Sequence, residues 1–135
     1  MRKKRLLTGF LILVLAGCSS AASPTAVIEG FIADAEKGDV DAMNKAFSKQ
    51  ALNQKGDEIR SNNTRYSEMI REVGSKERAT MFAKQEKIEG DKALVSFNYG
   101  SSKNGAGVGR NTGCTAFEMV KEDGEWKIKE SVLCP

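Results

Sequence analysis

Val120-Lys121-Glu122-Asp123-Gly124-Glu125-Trp126-Lys127-Ile128 sets an Asp-Gly pair between two segments of strand-forming residues. That Asp-Gly pair is the strongest hairpin signal in the chain. Two strands follow from it, Thr115–Lys121 and Glu125–Cys134. Upstream, Ala93, Val95, Phe97 and Tyr99 alternate with Leu94, Ser96 and Asn98, the period of a half-buried strand. Gly90-Asp91 offers a second hairpin turn, back to a weaker and more charged strand over Thr80–Ile88. Gly100–Gly113 holds five glycines among Ser, Lys and Asn and reads as a loop.

Before Lys76 the period is helical. Ser23 is placed to cap a first helix, with Pro24 at the first helical position, where its missing N–H costs nothing. Val27, Ile28, Phe31, Ile32 and Ala35 recur on one face, and Gly38 suits the left-handed residue that ends the helix. Asp39 caps a second helix whose apolar face is Val40, Met43, Ala46 and Phe47. From Gln50 to Asn62 the pattern fades into polar residues around Gly56, which predicts mostly loop. A third helix is expected after it, capped by Asn63 or a neighbour, with Tyr66, Met69, Ile70 and Val73 on one face and Gly74 as its stop.

Helices followed by a run of antiparallel strands predict an α+β domain, with N-terminal helices packed on a curved antiparallel sheet. Four stretches carry a resemblance: Ser23–Phe31, Lys37-Gly38-Asp39, Ile88–Val95 and Val120–Ile128. Together they resemble small secreted domains of the nuclear transport factor 2-like (cystatin-like) superfamily. The narrower resemblance is to bacterial lipoproteins with a lumazine-binding-protein-like domain of unknown function, over roughly Ser23 to Val132. It implies a cone-shaped fold in which a bent sheet wraps a long helix and leaves a pocket at its open end.

The N-terminus carries an address. Arg2, Lys3, Lys4 and Arg5 precede a twelve-residue apolar run from Leu6 to Gly17. This is the layout of a secretory signal peptide, and it is shorter than the ~20 residues of a membrane-spanning helix. Leu15-Ala16-Gly17-Cys18 resembles the bacterial lipobox, which implies cleavage before Cys18 and lipidation of its thiol. Residues 1–17 are then a signal peptide, 18–22 a lipidated tether, and 23–135 one α+β domain. Palmitate-type acyl chains on Cys18 would hold it on a membrane. Ser19 resembles the outer-membrane sorting signal, so the expected location is the outer membrane, facing the periplasm.

Four of the 21 Lys and Arg residues lie in the leader, leaving 17 against 18 Asp and Glu. The mature chain is close to neutral, which argues against a nucleic-acid partner.

Once Cys18 is lipidated, Cys114 and Cys134 remain as a pair in a disulfide-forming compartment. A three-residue loop, Asp123-Gly124-Glu125, would set Val120 opposite Ile128, Ala116 opposite Val132 and Cys114 opposite Cys134. A two-residue loop would shift Cys114 to face Leu133. Apolar pairing does not separate the two registers; a cystine selects the first.

The chain contains no histidine, which removes Ser-His and Cys-His catalysis and the usual zinc sites. Superfamily members that isomerise or dehydrate use a pocket Asp with a Tyr or His partner, so Asp34, Tyr66 and Tyr99 are the residues to examine. Asp34 lies among polar positions and both tyrosines fit core stripes, so no catalytic residue is assigned. Gly105-Ala106-Gly107-Val108-Gly109 lacks the sixth-position glycine of a dinucleotide loop, with Arg110 or Thr112 there instead. Lys84, Glu86, Lys87, Glu89, Lys127 and Lys129 read as a solvated sheet face, and Trp126 as a core anchor.

No metal or other cofactor is called for. The expected activity is a binding or accessory lipoprotein, not an enzyme, whose partner is a small apolar ligand or an envelope protein. The alternatives are an isomerase or dehydratase with a pocket carboxylate, and a structural interaction protein that uses no pocket. Replacing Cys18 with Ser should abolish labelling by a fatty-acid analogue and leave an uncleaved or soluble form. Labelled, membrane-bound Cys18→Ser protein would contradict the lipidation.

Overall fold

The computed structural model describes residues 21–72, 80–100 and 111–133. Three helices, α1 (Pro24–Lys37), α2 (Val40–Lys45) and α3 (Lys49–Glu72), precede four strands. These are β1 (Thr80–Glu89), β2 (Lys92–Gly100), β3 (Asn111–Glu122) and β4 (Glu125–Leu133). The strands form one antiparallel sheet in the order β1-β2-β3-β4. This is the expected α+β architecture. Strand residues Ala93, Val95, Phe97, Phe117, Met119 and Ile128 face Ile28, Phe31, Ala35 and Met43 in one buried core.

The helix starts follow from their capping chemistry. Ser23 Oγ accepts from the Ala26 N–H at 3.1 Å, and Asp39 Oδ1 accepts from the Ala42 N–H at 2.9 Å. Each satisfies a donor that the first helical turn leaves unpaired. Gly38 ends α1 at φ 79°, its N–H donating to Ala35 O.

Where a polar loop was expected over Gln50–Asn62, the chain is helical. α3 runs from Lys49, capped by Ser48 Oγ on the Ala51 N–H, and is interrupted at Lys55 (φ −139°, ψ 27°). Its buried residues are Ala51, Ile59, Asn63 and Ser67. They lie four or eight apart, a line one residue wide that a search for apolar stripes does not see. Asn63 is therefore not a cap. Its Nδ2 donates to Asn44 Oδ1 at 2.8 Å, and Ser67 Oγ donates to Ala35 O at 2.8 Å. Of the face expected around Tyr66, Tyr66 and Ile70 pack on the core, whereas Met69 is 53% exposed. Val73 lies outside the described residues.

The β3–β4 hairpin corrects the expected register and then restores part of it. Asp123 (φ 52°) and Gly124 (φ 80°) form a two-residue turn between paired Glu122 and Glu125. Positive φ at both central positions is the type I′ signature, whose twist matches the flanking strands. The three-residue loop is thus overturned: Lys121 faces Trp126 and Met119 faces Ile128. A bulge between Glu118 and Met119 then leaves Lys129 as the extra residue, so Ala116 faces Val132 and Thr115 faces Leu133. Strands β2 and β3 also extend to Gly100 and from Asn111, into the expected Gly100–Gly113 loop. Trp126 is a core anchor, as expected, with the Lys121 ammonium 5.5 Å from its ring centre.

Gly38 offers a direct check on the α1–α2 corner. A Cβ there would lie 2.9 Å from an Arg71 guanidinium nitrogen, and the positive φ disfavours any L side chain. Arg71 can shift, but the backbone cannot. Gly38→Ala should lower stability by about 1–2 kcal/mol, read as a reduced urea midpoint with the slope unchanged.

Candidate binding site

A cavity of about 440 Å³ lies between α3 and strands β3 and β4, with Lys55 of the α3 interruption in its lining. Its floor is built from rings and apolar side chains: Phe31 of α1, Phe47 before α3, Ala51, Ile59 and Tyr66 of α3, and Phe117 of β3. The rings are mutually fixed. Phe31 meets Phe47 and Phe117 edge-to-face at 6.0 Å, and Tyr66 stacks on it at 5.9 Å and 15°. Such pairs favour offset or edge contacts and hold each other in place.

One wall is α3. Gln50 and Gln54 before the interruption at Lys55, and Glu58 and Asn62 after it, line the cavity. The other wall is the bulged end of β4, Lys129, Glu130 and Ser131, with Thr115 of β3 behind it. Lys129 sits 3.3 Å from Glu118 Oε2 and 3.7 Å from Glu130 Oε1. These carboxylates, Glu118 foremost, raise its pKa above the ordinary lysine value. Lys55 and Lys129 are matched by Glu58 and Glu130, so the formal charge of the mouth is balanced. Both acids are exposed.

Of the residues proposed for acid–base chemistry, Tyr66 lines this cavity. Asp34 is half-buried on α1 and absent from the lining. The side chains of Lys84 and Tyr99 lie outside the described residues, as do Arg110 and the whole Gly105–Gly109 stretch. Cys18 and Cys134 lie outside them too. Cys114 is described only as a β3 position opposite Asn98. Among the described residues no cluster of acidic, cysteine or histidine side chains could hold a metal ion. Nor is any helix there long and apolar enough to cross a membrane. The residues that sequence reasoning missed are the carboxamides of α3. Their signal is the recurrence of Gln50, Gln54, Glu58 and Asn62 at every fourth position of a polar stretch.

A second, shallower depression of about 570 Å³ includes Lys87, Glu89, Lys92, Leu94, Glu118 and Val120 in its lining. Its charges are largely spoken for, Lys87 by Glu89 at 2.8 Å and Glu118 by Lys129. It has no aromatic floor.

No described protein family matches the sequence, and no curated protein matches it either. Solved structures do. A SEC-C motif containing protein from Rhodopseudomonas palustris aligns at TM-score 0.58 and 16% identity, over 84% of this chain and 80% of that one. A proposed NTF2-like transpeptidase from Campylobacter jejuni aligns at TM-score 0.54 and 14% identity, over 81% and 99%. The likeness is one of fold. It agrees with helices packed on one face of a four-stranded antiparallel sheet, and at this identity it says nothing of chemistry.

Proposed function

We propose that the chain is a lipid-anchored envelope protein of nuclear transport factor 2-like fold that uses the α3–β4 cavity as a binding module. The observation that carries this reading is the cavity itself. At about 440 Å³ it is the size of a small-molecule site, with a mainly apolar floor and a few polar groups at the mouth. A protein acting only through its outer surface has no need of such a space beside its core. Exposed Glu58 and Glu130 are poor candidates for the pocket carboxylate of an isomerase or dehydratase, which favours binding over catalysis.

The anchor at Cys18, the outer-membrane location and the cystine Cys114–Cys134 belong to the same proposal. The leader and lipobox-like motif support the first two. For the cystine, the pairs Ala116–Val132 and Thr115–Leu133 are the support, since continued pairing by one residue joins the two cysteines. Cross-strand neighbours lie about 4.5–5.5 Å apart, within the Cα range of a disulfide. A thiol count on unfolded, unreduced chain lacking residues 1–18 should find no free thiol. Two free thiols would reject the bridge.

The binding reading is tested with Nile red, a neutral apolar fluorophore, added to chain lacking residues 1–18. A saturable fluorescence rise is expected. Ser131→Trp, which puts an indole into the mouth from an exposed position, should weaken it about tenfold, or 1.4 kcal/mol, with an unchanged urea midpoint. No saturable rise with the wild-type chain would overturn the reading.

A further inference from the structure

The cavity lies beside an open strand edge. β4 is the last strand of the sheet, and its outer side is paired at one position only among the described residues, the parallel bridge Phe47–Ile128. There the Ile128 N–H donates to Ala46 O at 2.8 Å, and Ile128 O accepts from the Ser48 N–H at 2.8 Å. After Ser48 the chain turns into α3 and leaves the edge. From Lys129 to Leu133, β4 has no further backbone partner on that side among the described residues. Lys129, Glu130 and Ser131 are exposed and line the cavity.

We propose that this edge receives an extended peptide segment of a partner protein, laid along the cavity as an added strand. The proposal rests on the binding reading of the same cavity and names its ligand. The chain's own segment Ala46–Ser48 already occupies the first position of the edge, so the added strand continues an existing pairing. Glu130–Leu133 offers four residues, about 13 Å of edge. Main-chain hydrogen bonds supply affinity in this mode, and pockets for alternate side chains supply specificity.

The opposite wall fits the same ligand. The carboxamides of Gln50, Gln54 and Asn62 face the cavity and have no hydrogen-bond partner among the described residues. Each carries two N–H donors and one carbonyl acceptor, the combination that a peptide backbone displays on its second side. Between the walls, the aromatic floor takes an apolar side chain from alternate positions of the strand. The balanced mouth, Lys55 and Lys129 against Glu58 and Glu130, selects no strongly charged peptide. The β4 bulge serves this arrangement, because bulges re-aim strand residues beside binding sites.

The test uses the full chain in detergent micelles, with empty micelles as the blank. A random heptapeptide library is panned against it, and the best peptide is remade with a single backbone N-methyl group at each position in turn. Strand addition gives a period of two: methylation weakens binding at least tenfold at alternate residues and little at those between, by fluorescence anisotropy. Gln54→Ala, at an exposed position, should weaken the parent peptide several-fold. Equal tolerance of every methyl group, or uniform loss without alternation, overturns the proposal. So does recovery of no peptide by a chain that binds Nile red, which leaves the cavity reading standing. Failure of both probes removes the cavity reading as well.

Discussion

The ring of Phe31 is the contact on which the structure depends. It is 4% exposed and touches Phe47, Tyr66 and Phe117, one aromatic from each of three neighbouring parts of the chain. A single side chain of α1 therefore joins the α2–α3 link, α3 and β3. Phe117 passes the contact on to Phe97 of β2 at 6.2 Å. Truncating a buried ring of this kind costs about 3–5 kcal/mol, a large part of the stability of a small domain. The same rings form the floor of the cavity, so the site is assembled by the packing that holds the fold.

Polar contacts set the helices at the height those rings require. Glu86 of β1 accepts from the Thr25 N–H and hydroxyl at 2.9 and 2.8 Å, and Glu122 of β3 accepts from the Lys49 N–H at 3.2 Å. Carboxylates from the sheet thus meet the starts of α1 and α3, where unpaired N–H groups and the helix dipole favour negative charge. On the far side of α3, Asn63 and Ser67 hold the α1–α2 corner from buried positions. Ala35 O, which already accepts from the Gly38 N–H, thus takes the Ser67 hydroxyl as a second donor, and the buried hydroxyl is not left unsatisfied.

Local chemistry was readable where one or two residues decide the geometry. Ser23-Pro24, Gly38-Asp39 and the two hairpin turns each carry their own conformational reason, and the α+β plan followed from them. The first half of α3 was not readable. Its buried residues there are Ala51 and Ile59, eight positions apart, too sparse to form an apolar stripe, and further on Asn63 and Ser67 are polar. The β3–β4 register failed for a different reason. Two loop lengths gave equal apolar pairing, and the structure uses the shorter one and then inserts Lys129. The far pairs match the longer loop and the near pairs match the shorter, which no single register could express. Lys55 at the α3 interruption and Lys129 at the β4 bulge both line the cavity, so its walls were hidden with those two features.

We propose that the space between α3 and β4, floored by the domain's own core rings, is its working surface. The most direct measurement is backbone amide shift mapping of isotopically labelled chain lacking residues 1–18, titrated with a neutral apolar compound. Shifts should gather on Gln54, Ile59 and Asn62 of α3, and on Thr115, Phe117 and Ser131 across the gap. Shifts confined to Lys87, Leu94 and Val120, or none at saturation, would contradict it.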